Sequence, residues 1–335
     1  MGYRIPGLLI LAGSLVLGGL WIDYRTFQET PLALPQGGLV YRLPSGGNAA
    51  SLGRDLAIRG VLRSPRYLWL LAWERAAATH LQAGEYHIPL GATPKQLLDL
   101  LTSGRVIQHP ITLVEGWTFA QTRQALATVE WIHHTLEGIS STEIMARLGR
   151  SGIPPEGRFL PDTYRFPRGT TDLDILGRAL QAMDRFLATA WAGRAPEIPL
   201  ETLDQALTLA SIVEKETALA TERPQIAGVF MRRLRLGMRL QTDPTVIYGL
   251  GETFDGNLRR VDLQRDNPYN TYVHRGLPPT PIALPGRAAI RATLHPAVSD
   301  ALYFVARGDG GHSFSATLEA HNQAVRRYQL NGGYQ

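Results

Sequence analysis

The order of apolar and polar positions divides the chain into a hydrophobic N-terminal run and a longer part in which helical and strand patterns alternate. Residues 5–22 carry no charged side chain, and Trp21 and Tyr24 lie where aromatic residues line a membrane interface. The run predicts one transmembrane helix, because it lacks the small residues at which a secretory signal is cleaved. Since Arg4 precedes it and the charges that follow nearly cancel, we expect residues 1–4 in the cytoplasm and the remaining chain outside the inner membrane.

The region after this run has the pattern of a short linker followed by a small folded module. Residues 23–38 combine prolines and glycines with few charges and are predicted to form the linker. Strand patterns at 39–43 and 81–89 enclose two helical patterns. The resulting order of strand, helix, helix and strand over residues 39–104 resembles a divergent LysM module, which holds glycan strands in many wall proteins. Glycan binding and a purely structural packing role both stay open for it.

Short turn and cap signals predict local structure at several further points. Thr93 and Thr118 each follow a tight polar turn and precede a helical run, so they are predicted helix caps. Near the C-terminus, residues 302–305 and 312–314 have strand patterns around a glycine-rich turn and predict a hairpin. Ser315 or Thr317 is then expected to cap a closing helix.

One predicted helix, over residues 203–217, is apolar on nearly every face and yet carries two carboxylates. At about 100° per residue, Glu214 and Glu216 point to roughly opposite sides of it. Burial against apolar neighbours favours the protonated form of a carboxyl group, which is what a general acid needs. Pairing with Lys215, Arg223 or another cation explains both acids equally well, so the periodicity alone does not choose between a catalytic and a structural role.

Composition and charge narrow the class of protein. The 335 residues are 44% hydrophobic and 19% charged, which suits a globular chain of about two domains beyond any anchor. The net charge of +5 is not gathered into Lys/Arg clusters, so a nucleic-acid partner is not expected. There is no cysteine, and His295, His312 and His321 lack the spacing of a zinc-binding helix. We therefore predict neither a metal nor a cofactor.

Several segments in the second half of the chain form a distinctive series: SIVEKET at 211–217, GMRLQTDPTVIYG at 237–249, NTY at 270–272, GLPP at 276–279, HP at 295–296 and YFV at 303–305. In this order, they resemble the YceG/MltG family of membrane-anchored endolytic murein transglycosylases. The resemblance implies an α+β protein in which a mixed α/β catalytic domain occupies residues 156–335 and residues 105–155 form a connecting α/β segment.

The resemblance also implies an activity. It predicts a lyase that cleaves the β-1,4 bond between N-acetylmuramic acid and N-acetylglucosamine within nascent glycan strands, leaves 1,6-anhydro ends and so terminates glycan elongation. In this family the first glutamate of the helix is the catalytic acid, which corresponds to Glu214, while Glu216 is expected to anchor the helix through a buried ion pair. The expected partners are peptidoglycan glycan strands, inner-membrane lipid and peptidoglycan synthases.

Polar and aromatic side chains on the helix and in two proline-containing loops are expected to wall a groove over Glu214. Sugar hydroxyls need fixed donors and acceptors, and sugar rings pack on aromatic faces. Turn or cap formation explains any one of these residues taken singly, and Asp243 most of all. The predicted substrate-binding residues are Ser211, Gln241, Thr242, Asp243, Tyr248, Asn270 and Tyr272.

Two rival functions remain from the sequence. A membrane-tethered scaffold that binds glycan without catalysis would create no new chain ends. A hydrolytic muramidase would add water and leave reducing muramic acid ends in place of anhydro ends.

Overall fold

The structure is a computed structural model that describes residues 4–330. The chain folds into two compact units. The first runs to His109 and includes Arg165–Arg168, and the second comprises Pro110–Tyr164 and the chain from Gly169 onward. Helices and three two-stranded sheets make up the described residues, so the predicted mixture of helix and strand is confirmed.

The first unit is a small helical layer on a two-stranded antiparallel sheet. The alternation in its first strand turns Tyr41 and Leu43 inward, where they join Tyr86 and Ile88 of the partner strand in one core. The observed order of strand, helix, helix and strand confirms the predicted order, while the likeness to LysM stays a prediction. The elements are α1 (Arg4–Glu29), β1 (Leu39–Leu43), α2 (Ala49–Ile58), α3 (Pro65–Glu74), β2 (Gly84–Ile88) and α4 (Pro94–Thr102), with β1 paired to β2.

The predicted linker is wrong over its first half. Helix α1 continues to Glu29, and Tyr24 and Phe27 on it are buried in the core of the first unit. Beyond the helix, the Leu32 amide donates to the Ala92 carbonyl over 2.8 Å. These residues do not form a linker because their apolar side chains pack into a core. The linker prediction used only the content of proline, glycine and charge, which does not indicate such packing.

Residues 5–22 lie within α1, so a helix is present where one was predicted. In the part of the chain that the structure describes, no helix is both long enough and apolar enough to span a membrane. Residues 1–3 of the predicted cytoplasmic tail lie outside the described residues.

The second unit is mainly helical. Residues 110–155, expected as a connecting segment, belong to the same unit as the chain that follows Gly169. Helix α8 packs against α7, α9, α10 and α12, and β5 pairs antiparallel with β6. The elements that follow α4 along the chain are β3 (Gln108–Leu113), α5 (Phe119–Ala127), α6 (Ser141–Arg147), β4 (Asp162–Pro167), α7 (Asp172–Ala192), α8 (Leu203–Glu216), α9 (Arg223–Arg235), α10 (Asp243–Leu250), α11 (Arg260–Gln264), α12 (Arg287–Leu294), β5 (Tyr303–Ala306), β6 (His312–Ser315) and α13 (Leu318–Val325).

Helix α8 is the central rod of this unit. Thr202 caps its start by accepting a bond from the Gln205 amide, and every residue from 206 to 213 is buried. A helix enclosed by four others needs no polar stripe, which explains its all-round apolar pattern. The backbone turns extended at Thr217, so Glu214 and Glu216 both lie in the last turn. Carboxylates are disfavoured at this end of a helix, where unpaired carbonyls make the field negative, so both acids need compensating partners or a proton.

Candidate active site

Glu214 is held in a closed set of polar contacts. Its side chain is 5% exposed, and one carboxyl oxygen accepts a bond from Nη2 of Arg223 over 2.9 Å. The other oxygen accepts the Gly286 amide over 2.9 Å. Burial raises the pKa of Glu214, whereas the Gly286 amide and Arg223 oppose that rise. Both carboxyl oxygens are therefore engaged by fixed donors of the protein.

Glu216 has different surroundings. Its carboxyl group accepts a bond from the Thr242 hydroxyl, and no salt bridge reaches it from any residue that the structure describes. Burial raises the pKa of Glu216 to about 7, and nearby Asp243 adds to the rise. The predicted buried ion pair of Glu216 is therefore wrong. Arg223 pairs with Glu214 instead, because the turn after α8 brings Arg223 back along that side of the helix.

A cavity of about 590 Å³ opens beside Glu216. Its volume lies in the range of ligand pockets, and its wall mixes charged, hydroxyl and aromatic side chains, as sugar binding requires. Glu214 is not among its lining residues. The cavity is lined by Glu216, Arg233, Leu240, Gln241, Thr242, Asp243, Tyr272, Tyr303, Phe304, Val305, Ala306, His312, Leu318, His321, Asn322, Val325 and Gln329.

Four of the predicted substrate-binding residues line this cavity: Gln241, Thr242, Asp243 and Tyr272. The Tyr272 hydroxyl donates to a carboxyl oxygen of Asp243 over 2.6 Å, which fixes both side chains. Gln241 has a φ of 52°, in the left-handed region that non-glycine residues seldom adopt. Such strain persists only where the surrounding structure imposes it, and it is frequent at binding sites.

The other three predicted residues lie elsewhere. Ser211 is fully buried, with its hydroxyl bonded to the Thr208 carbonyl and the Ile282 amide. Asn270 is 1% exposed, and its side-chain amide donates to the carbonyl oxygens of Asp262, Leu263 and Arg265 at the end of α11. Tyr248 donates to Glu156 over 3.1 Å and is not among the cavity's lining residues. All three side chains bond to other parts of the protein, and the structure does not bring them to the cavity beside Glu216.

The cavity also contains residues outside the predicted substrate-binding set. Arg233 comes from α9, Tyr303 from β5 and His312 from β6, all distant from Glu216 along the chain. Glu222 holds this wall in place: its carboxyl oxygens contact the His312 amide and the His312 ring Nδ1, over 2.9 and 2.8 Å. No spacing within one segment could have indicated this arrangement, because it depends on how the β5–β6 hairpin packs.

Metal-binding geometry is absent from residues 4–330, since no group of three or more His, Asp or Glu side chains there could hold an ion. The chemistry that the cavity offers is that of one sheltered carboxyl group with hydroxyl, guanidinium and imidazole neighbours.

A second buried acid lies apart from this cavity. Glu156 is 6% exposed, accepts the Phe119 amide over 2.9 Å and accepts the Tyr248 hydroxyl over 3.1 Å. Burial raises the pKa of Glu156 to about 7. The folded protein therefore holds this proton to a higher pH than the unfolded chain does, and folding loses stability as the pH rises from about 4.5 through about 7.

We expect Glu156→Gln to remove this pH dependence. A rise in pKa from 4.5 to about 7 corresponds to about 3 kcal/mol at about 1.4 kcal/mol per unit. In urea titrations, the free energy of unfolding of the wild type minus that of the variant should therefore fall by about that amount between pH 4.5 and pH 8. Exposed Glu137→Gln is the control and should track the wild type. A pH-independent difference for Glu156→Gln would show that folding does not raise the pKa of Glu156.

Comparisons with known proteins agree with this architecture. Residues 41–327 match the model of the YceG-like family. The endolytic murein transglycosylase of Bacillus subtilis is 29% identical over 339 residues, which cover 94% of this chain and 91% of that protein. The endolytic murein transglycosylase of Streptococcus pneumoniae strain D39 is 27% identical over 94% of this chain, which spans 63% of that protein's length. The crystal structure of a yceG-like protein from Listeria monocytogenes is 28% identical, with a TM-score of 0.56 over 85% of this chain and 98% of that one. The chain belongs to the YceG-like family.

Proposed function

We propose that this protein is an endolytic murein transglycosylase, a lyase that cuts the β-1,4 bond between N-acetylmuramic acid and N-acetylglucosamine within glycan strands. The cut leaves a 1,6-anhydro end and terminates elongation of the strand. The observation that carries this proposal is the sheltered carboxyl group of Glu216, which opens on a polar and aromatic cavity in a member of a family whose relatives bear that name.

The geometry favours Glu216 over Glu214 as the general acid. A general acid must reach the leaving oxygen of the substrate and must be protonated near the working pH. Glu216 lines the cavity and has a pKa raised to about 7, whereas both oxygens of Glu214 are occupied by Arg223 and Gly286. Glu214, the acid that the family resemblance implied, then fixes the end of α8. Its catalytic role stays a prediction, which a comparison of Glu214→Gln with Glu216→Gln tests.

The reaction needs one carboxyl group and no water. Glu216 gives its proton to the glycosidic oxygen while the bond from that oxygen to C1 of the muramoyl residue breaks. The C6 hydroxyl of the same residue then attacks C1, and the Glu216 carboxylate takes the hydroxyl proton, which restores the acid. Because the nucleophile is part of the substrate, its high effective concentration replaces a second carboxylate.

This assignment predicts a pH profile. Since the proton on Glu216 is required, we expect kcat/KM to fall tenfold for each pH unit above about pH 7. An acid with the pKa of an ordinary glutamate would give the same fall from about pH 4.5 upward. Thr242, His312 and Arg233 stabilise the carboxylate and Asp243 destabilises it. Thr242→Val should therefore move the alkaline limb to higher pH. Rates of anhydro-end formation between pH 4 and 9 check this, and a limb near 4.5 would exclude Glu216 as the acid.

Digestion of purified sacculi followed by mass analysis of the products tests the proposed reaction. An endolytic transglycosylase should release fragments ending in anhydro-muramic acid from within the strands. Asp243 in the same cavity is the observation that keeps a muramidase in consideration, because hydrolysis uses two carboxyl groups. Reducing muramic acid ends would establish that activity, and an absence of new ends would leave a glycan-binding scaffold.

The proposal extends to location and partners. The apolar side chains of Ile10, Leu15 and Leu17 are 71%, 69% and 68% exposed on α1, which supports contact with inner-membrane lipid. The catalytic unit would then work in the periplasm, near the synthases that make the strands, with the LysM-like module holding glycan. Recovery of the full-length protein in the soluble fraction after high-salt washing of membranes would exclude the anchor.

A further inference from the structure

Arg233 is a buried cation that lines the cavity beside Glu216. The residue is 7% exposed, and its guanidinium is fixed by carbonyl oxygens: Nε donates to Leu302 and Nη1 to Leu240, each over 2.7 Å. Among the described residues, no carboxylate forms a salt bridge with Arg233, and Nη2 has no hydrogen-bond acceptor. The charge is thus oriented by neutral groups while one of its donors remains unused.

The rings of Tyr303 and His321 lie on the same wall of the cavity. The Arg233 guanidinium carbon lies 5.3 Å from the centre of the Tyr303 ring, and Tyr303 stacks on His321 with centroids 5.2 Å apart. The His321 ring Nδ1 is buried and has no hydrogen-bond partner in residues 4–330. Arg233, Tyr303 and His321 therefore form one continuous face of the cavity, and two of the three have a nitrogen without a partner.

Burying a cation without a counterion costs free energy, and a protein retains such a group where it serves binding or catalysis. The planar fork of a guanidinium matches a carboxylate, and carbonyl acceptors on Nε and Nη1 hold that fork rigid. We propose that Arg233, with His321 beside it, forms an anion subsite that binds a carboxylate of the peptide stem on the glycan strand. This proposal rests on the proposed function, since it places the stem next to the bond that Glu216 would cleave.

Two other charges face this subsite. Asp243 lies on the same cavity, but its carboxylate is engaged by the Tyr272 hydroxyl. Glu216 feels the field of Arg233, which favours its carboxylate. A stem carboxylate bound at Arg233 would offset that field and keep the acid protonated, so binding at the subsite and acid catalysis would support each other.

Chemical change of the substrate tests this inference without a risk of unfolding the protein. Glycan strands with free stem carboxylates are compared with the same strands after carbodiimide-driven amidation of those carboxylates. We expect the wild type to have a kcat/KM about tenfold or more higher on the free-carboxylate strands, the factor expected for one charge-assisted bond. Arg233→Gln should bring this ratio close to one. Arg233→Lys should restore part of it, and exposed Arg232→Gln on the same helix is the matched control.

The outcomes separate the subsite from the reaction. Equal rates of the wild type on both strands, or an equal loss on both strands in a folded Arg233→Gln variant, would overturn the subsite and leave Arg233 a structural role. If the wild type forms no anhydro ends on either strand, the proposed reaction fails. Equilibrium binding of the two strands to the wild type then decides the subsite alone: tighter binding of the free-carboxylate strand supports it, and equal affinity overturns it.

Discussion

Replacement of Glu216 by glutamine is expected to slow the formation of anhydro ends by about 100-fold to 10,000-fold, the range that a general acid contributes. Glutamine keeps the shape of the side chain and can still bond to Thr242, but it has no proton to give at any accessible pH. The fold should persist, because the neutral amide replaces a carboxyl group that burial already holds partly protonated near neutrality. Single-turnover digestion of sacculi, with mass analysis of products, measures the rate.

The control for this variant is Glu319→Gln, which makes the same change of carboxyl group to amide at an exposed glutamate on α13. It should keep wild-type activity and stability. A Glu216→Gln protein that retains its thermal midpoint and still releases anhydro ends at more than about one tenth of the wild-type rate would remove Glu216 from the chemistry.

The second large effect is expected at Arg223, the partner of Glu214. Arg223→Met should lower the free energy of unfolding by about 3–5 kcal/mol, because it leaves the Glu214 carboxylate buried with only the Gly286 amide to bond it. Urea unfolding at pH 7 measures this loss. Arg232→Met on the same helix removes an exposed charge and should change stability by less than about 0.5 kcal/mol.

The pair can be tested further by combining changes. Adding Glu214→Gln to Arg223→Met should recover much of the lost stability, because the neutral amide no longer needs a cation. The loss of stability in the double variant could instead equal the sum of the losses in the two single variants. Arg223 and Glu214 would then stabilise the unit independently, and the close contact between them would contribute no free energy.

Local structure in this chain was predictable at several points where one short segment determines it. The predicted caps Thr93 and Thr118 each accept a bond from the amide three residues on, within full capping boxes. The predicted C-terminal hairpin is present as β5 and β6, and Thr317 caps the helix after it. These signals act over three to five residues, so distant packing does not override them.

The site depends on packing that the sequence does not display. Periodicity correctly separates the directions of Glu214 and Glu216, but it cannot say which direction leads to a cavity and which to an arginine. That choice depends on the turn between α8 and α9, which brings Arg223 against Glu214. Arg233, Tyr303 and His321 are likewise brought together by the packing of α9 with the hairpin and α13.

The most direct measurement compares Glu216→Gln and Glu214→Gln side by side in release of anhydro-muropeptides from sacculi at pH 6, with the folded fraction of each variant determined in the same buffer. We expect the folded Glu214→Gln protein to retain substantial activity and the folded Glu216→Gln protein to have almost none. An inactive, folded Glu214→Gln beside an active Glu216→Gln would instead assign the acid to Glu214 and would show that the cavity beside Glu216 is not where the bond breaks.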